Sequence, residues 1–130
     1  MTIELLLLVW SLAVFGLYLG AQSLIYRWRY GIMFAQTARD TTPRTEGALL
    51  GRAERALRNF LETYPALIIL LIVAHLADRG DPLVLWGAGL WFAGRLAYLP
   101  LYLFGVPMVR SLVWCVLAAG LFLMFFGVLF

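Results

Sequence analysis

Two long uncharged runs restrict this chain more than any other feature. Leu5 to Tyr26 holds 22 consecutive residues without Asp, Glu, Lys or Arg, and Ser111 to Phe130 holds 20. In hydrocarbon every backbone N–H and C=O needs an internal partner, so a run of about 20 apolar residues is confined to a spanning helix. Two further runs complete the pattern: Phe60 to Ala77, with Glu62 near its start, and Pro82 to Leu103, broken by Arg95. The spacing predicts four spans, at residues 5–26, 60–77, 82–103 and 111–130. The expected fold class is all-α: an integral membrane four-helix bundle forming one domain over residues 1–130. The 64% hydrophobic content, against 13% charged, agrees, since soluble domains carry about a quarter charged residues. The first run follows Glu4 rather than a basic segment and exceeds the length of a signal-peptide core, so it is expected to remain as a helix.

Charge sets the expected topology. Arg27, Arg29, Arg39, Arg44 and Arg52 crowd the segment between the first two spans, which also holds a Thr41-Thr42-Pro43 break. The Asp78–Pro82 connection is short and net acidic, and a turn at Gly105 and Pro107 is followed at once by Arg110. Basic loops stay in the cytoplasm. The long Arg-rich loop and the last turn are therefore expected inside, with both termini outside. Trp28 and Trp114 then fall near the inner interface and Trp86 near the outer one. Because topology accounts for the clustered arginines, the net charge of +3 is no sign of a nucleic-acid partner. The basic residues are all Arg, a type suited to carboxylates and phosphates, although genomic base composition yields the same bias. The single cysteine, Cys115, excludes an internal disulfide and is expected to be a small buried hydrophobe. No metal-ligand spacing is visible. Gly16 and Gly20 suggest a close-packing helix face.

The candidate site begins where the second span does. Arg55, Arg58, Asn59 and Glu62 lie at offsets of zero, three, four and seven, which places them on one helix face. Only 15 uncharged residues, Thr63 to Ala77, separate Glu62 from Asp78, fewer than the ~20 a span requires. The stripe is thus expected below the membrane surface, where ionisable groups line bundle interiors or wet cavities. Arg95 lies 13 residues after Pro82, and Glu62 lies 15 before Ala77. At ~1.5 Å per residue both sit ~20 Å from the outer surface, which invites a Glu62–Arg95 ion pair. Tyr98 and Tyr102 share the face of Arg95, at offsets of three and seven. A polar pocket opening to the inside is one reading; an ion pair that only fixes helix register is the other. His75, near the outer end of its span, is expected to be interfacial rather than catalytic.

The segment RALRNFLETYP resembles the second-helix signature of the MAPEG family, membrane-associated proteins of eicosanoid and glutathione metabolism. RLAYLPLYLFGVPMVRS, Arg95 to Ser111, resembles the family's third helix and following turn. The resemblance implies a homotrimer with glutathione bound, bent, between neighbouring subunits from the cytoplasmic side. By motif position Arg55, Asn59 and Glu62 match second-helix glutathione ligands, and Tyr98 and Tyr102 match third-helix positions lining the site. Arg110 matches the arginine that stabilises the glutathione thiolate, and Ser111 a serine beside it in prostaglandin-forming members. Arg27 or Arg29 resembles a further arginine near the thiol or peptide. Arg58 and Arg95 belong to the same candidate pocket. The sequence departs from the leukotriene-forming pattern at Thr63, where those members place tyrosine; here Tyr64 is one position on. The turn before Arg110 is one residue longer than in the prostaglandin-forming pattern.

These residue types suit glutathione. Arginines take carboxylates bidentately, Glu62 can take the ammonium and Asn59 the peptide. The expected function is a membrane-bound glutathione-dependent transferase or peroxidase, with Arg110 as its catalytic residue, glutathione as cosubstrate and a lipophilic second substrate from the bilayer. The alternative is a non-catalytic glutathione- or lipid-binding scaffold. A small transporter built around the buried charges is a third reading, and it differs from both in requiring solute flux. Size and the Arg-only composition resemble a bacterial member, placed in the inner membrane.

Overall fold

The computed structural model describes residues 1–38 and 47–130. Arg39, Arg44 and the Thr41-Thr42-Pro43 break lie outside the described residues. Five helices follow in order: α1 Ile3–Tyr30, α2 Ile32–Ala35, α3 Ala48–Leu76, α4 Pro82–Phe104 and α5 Pro107–Leu129. Each boundary has a local cause. Gly31, at φ 85°, breaks α1 from the single turn of α2. The carboxylate of Asp81 accepts from Leu83 N at 2.7 Å, and Pro82 occupies the first position of α4, where a missing N–H costs nothing. Gly105, left-handed at φ 73°, ends α4, and Pro107 starts α5 two residues on.

Helix length corrects the sequence reading at the basic loop. Arg27 and Arg29 sit in the last turn of α1, and α3 begins at Ala48, so Arg52 and the polar stripe are all helical. Three helices, α1, α3 and α5, are long and apolar enough to cross a membrane. The expected third span, now α4, has the length but falls short in hydropathy, because Arg95, two prolines, three glycines and its aromatic rings dilute the leucines.

α4 packs most extensively on α5, and α1 on α3; α3 and α4 join the two pairs, while α1 and α5 do not touch. The α4–α5 approach depends on glycines spaced seven apart on each helix: Gly87 and Gly94 on α4, Gly120 and Gly127 on α5. A methyl group at Gly87 would run into the Gly120 carbonyl, and one at Gly120 into the Gly87 carbonyl. Around Gly16 and Gly20, the pair expected to pack closely, there is open space. The core lies where α1, α3 and α4 meet. It is built from Tyr18, Phe60, Tyr64, Leu67 and Trp91, with the rings of Phe60 and Tyr64 at 4.9 Å and of Phe60 and Trp91 at 5.6 Å. Ser11 and Tyr64 share a hydrogen bond of 2.9 Å inside this apolar layer, which satisfies both hydroxyls.

Candidate functional site

One face of α3 fixes the geometry. Ala53, Ala56, Phe60, Tyr64, Leu67, Leu71 and Ala74 are buried, and they mark the core stripe. Asn59 and Thr63 border that stripe, half-buried. With ~100° per residue, Glu62 and Thr63 flank Asn59 on opposite sides, and Glu62 falls on the outer one. Glu62, Arg55 and Arg58 are accordingly exposed on this subunit.

Arg95 is fully buried on α4, with 0% of its surface exposed. It is not paired with Glu62. Nη1 donates to Asn59 Oδ1 at 2.9 Å, and Nη2 donates to the Asn59 carbonyl at 3.2 Å and to Thr63 Oγ1. The expected ion pair had the depth right and the direction wrong: Arg95 meets α3 at the level of residues 59–63, on the core side of Asn59. Its guanidinium lies over the rings of Phe60, Trp91 and Tyr98 at 5.3, 5.7 and 5.6 Å, which stabilise a desolvated cation without neutralising it. Glu62 acts on Arg95 only through its field. The Arg95 carbonyl accepts from the Tyr18 hydroxyl at 2.7 Å. Thus one residue ties α4 to α1 through its backbone and to α3 through its side chain. Thr63, noted in the sequence only as a departure, is one of its partners.

A line of contacts runs from Arg95 toward the α4–α5 turn. The Tyr98 and Tyr102 rings are 5.4 Å apart, and the Arg110 guanidinium lies over the Tyr102 ring at 4.6 Å. Arg110 is in the first turn of α5, reached by the short turn at Gly105, and Ser111 follows it. The Ser111 hydroxyl donates to the Pro107 carbonyl at 3.1 Å. Asn59, Tyr98, Arg110, Ser111, Trp114 and Cys115 line one open cavity of about 290 Å³. Cys115 is exposed there, not buried as the sequence suggested. The misreading has a simple cause: α5 is apolar on all sides, so its pattern does not distinguish the lipid-facing, cavity-facing and core sides.

The structure therefore gathers Asn59, Arg95, Tyr98, Tyr102, Arg110 and Ser111. It leaves Arg55, Arg58 and Glu62 on the adjoining outer face of α3. Arg27 borders a separate cavity of about 170 Å³ between α1 and α2, with Gln22, Tyr26 and Gln36, and Arg29 lies against Gly47 at the start of α3. Neither lines the Arg110 cavity. Arg52, read in the sequence only as one of the basic-loop arginines, donates from Nη1 to the Leu103 carbonyl at 3.2 Å and lies against Gly105. It caps the C-terminal end of α4 and braces the turn that carries Arg110. His75 is remote from this end, hydrogen-bonded through Nδ1 to Thr2 Oγ1 at 3.1 Å.

Compared with known proteins, the chain matches the model of the MAPEG family over residues 7–130. No curated protein and no solved structure matches it.

Proposed function

The chain belongs to the MAPEG family, and on that premise we propose that it is a membrane-bound glutathione-dependent transferase or peroxidase. With three membrane-capable helices and that family membership, it is an integral membrane protein. The observation that carries the catalytic reading is the placement of Arg110. Its guanidinium rests on the Tyr102 ring, and among the described residues no carboxylate pairs with it. It lines an open cavity beside Ser111, Tyr98 and Asn59. An unneutralised cation there favours a bound thiolate over its thiol. A free thiol has a pKa of ~8.5, and lowering it by ~2 takes ~2.7 kcal/mol of preference for the anion.

In this reading α4 completes a four-helix membrane bundle, and three copies assemble with sites between neighbours. The exposed face of Arg55, Arg58 and Glu62 then meets the next subunit. The arginines take glutathione carboxylates and Glu62 takes its ammonium. The Arg-rich segment and Arg110 face the cytoplasm of a bacterium, and the lipophilic second substrate arrives from the inner membrane. Attack by the thiolate on an electrophilic carbon forms the sulfur–carbon bond and displaces the leaving group. With a hydroperoxide, two glutathiones yield the alcohol, water and glutathione disulfide.

Calorimetry with glutathione on the purified protein in detergent tests the reading. Micromolar to millimolar binding, weakened at least tenfold in both Arg55→Ala and Glu62→Gln, supports it. No binding by the wild type overturns it.

A further inference from the structure

Asn59 carries a buried cation with a neutral amide, although a carboxylate would serve that cation better. Arg95 has no exposed surface, and Glu62, its nearest acidic influence, does not bond to it. An aspartate at residue 59 would neutralise the guanidinium in a low-dielectric setting where an ion pair is strong. Asparagine gives Arg95 only the dipole of its carbonyl, and the Arg95 Nε is left without a partner among the described residues. What asparagine offers in exchange is an NH2 group.

The orientation of that group follows from donor chemistry. A guanidinium has five N–H donors and no acceptor. Since Nη1 bonds the Asn59 side chain, the amide oxygen must be the atom that faces Arg95. The grip is double, because Nη2 also holds the Asn59 backbone carbonyl. Thr63 secures the same Nη2, and the Thr63 hydroxyl in turn donates to the Phe60 carbonyl at 3.4 Å. With the oxygen committed inward, Nδ2 is the remaining polar group of the side chain. It has no protein partner among the described residues, and Asn59 lines the cavity that also holds Arg110.

We propose that Arg95 is a positioning residue: it fixes the Asn59 amide as a hydrogen-bond donor, so that the cavity receives a carbonyl or carboxylate oxygen of the ligand at residue 59. This rests on the glutathione reading above and adds to it the role of a buried arginine that has no surface with which to touch a ligand. The geometry accounts for why a fork-shaped side chain is required. A lysine keeps the charge but cannot hold the side-chain and backbone oxygens of one residue in a fixed plane.

The test is glutathione calorimetry on the full-length protein in detergent, with melting temperature recorded for each variant. Asn59→Asp keeps the side-chain volume and adds a charge partner for Arg95, but it replaces the donor with an acceptor. It is expected to melt no lower than the wild type and to bind glutathione at least tenfold more weakly. Equal or tighter binding by Asn59→Asp overturns the proposal, and tighter binding assigns the ammonium to this position. The second arm is a double-mutant cycle. Arg95→Lys and Asn59→Ala are each expected to weaken binding about tenfold, and the double variant by about the same tenfold, because Arg95 acts through Asn59. A hundredfold loss in the double variant means independent, merely structural roles and overturns the proposal. If Arg95→Lys does not fold, Asn59→Asp alone decides. Absence of binding by the wild type overturns the glutathione reading and this inference together, whereas wild-type binding with additive losses overturns this inference alone.

Discussion

Arg110 is held by a ring, and that choice leaves its charge available. A carboxylate partner would satisfy the guanidinium and cancel its field, whereas the Tyr102 ring orients it at 4.6 Å and leaves it positive. Replacing Arg110 with Ala is expected to lower turnover about a hundredfold, the scale of losing one preorganised electrostatic group. The pH profile gives the sign. With Arg110 present, bound thiol ionises below its usual range, so activity rises at lower pH. In Arg110→Ala the rise moves up toward ~8.5. Ultraviolet absorbance of the thiolate against pH measures this directly, and an unshifted curve removes the role. Cys115 offers a second probe at the same scale. Because it is exposed in the Arg110 cavity, a small maleimide is expected to label it, and an S-alkyl glutathione to slow that labelling severalfold. Labelling that saturating ligand does not slow separates the cavity from the binding site. Much of this site was legible in the sequence. Axial position was, because rise per residue is fixed, so Arg95 could be set level with the 59–63 segment. Direction around the helix was not. The offsets of Arg55, Asn59 and Glu62 define a face but do not say which edge of it borders the core. The Phe60, Tyr64, Leu67, Leu71 and Ala74 series held that information, and it places Thr63, not Glu62, on the inner side.

At the level of elements, the pairing of α4 with α5 rests on backbone proximity. Gly87 and Gly89 are two residues apart on one helix, yet only Gly87 abuts α5; around Gly89 there is open space. Gly87→Ala is therefore expected to destabilise by about 1–3 kcal/mol through overpacking. Gly89→Ala is expected to be neutral or to stabilise by up to about 1 kcal/mol through helix propensity. Thermal unfolding in one detergent compares the two, and equal melting temperatures refute the close-packed face. Arg52→Ala removes a donor to the Leu103 carbonyl at the end of α4 and is expected to cost ~1 kcal/mol. The sequence announced the helices through their uncharged runs and announced the α4–α5 turn through Gly105 and Pro107. It missed which glycines pack, because a small residue is equally compatible with a contact and with open space. It also placed the start of α3 too late. Arg52 reads as the end of the basic loop, but it stands on a helix whose buried Ala53 and Ala56 are too small to register as an apolar stripe.

Across the whole molecule, the core and the candidate site share residues. Trp91 is fully buried, and it packs against Phe60, Tyr64 and the Arg95 guanidinium. Trp91→Ala is expected to cost about 3–5 kcal/mol and, by loosening Arg95, to weaken glutathione binding as well. A melting temperature that falls while affinity stays unchanged would show the two to be independent.

The low hydropathy of α4 has a consequence for how the chain is made. An arginine at the centre of an inserting helix costs ~2.5–3.5 kcal/mol at the translocon, and α4, proposed above to complete the bundle, has a lower mean hydropathy than α1, α3 and α5 with which to offset such a penalty. Its arginine is satisfied only by Asn59 and Thr63 of α3, already synthesised, and its glycine face only by α5, not yet synthesised. A ribosome halted before Pro107 would hold a third long helix in contact with α1 and α3 but with no cover for its glycines. Biogenesis then favours delivery of α4 and α5 as a hairpin about the Gly105 turn, with the buried cation reaching its acceptors as the hairpin docks.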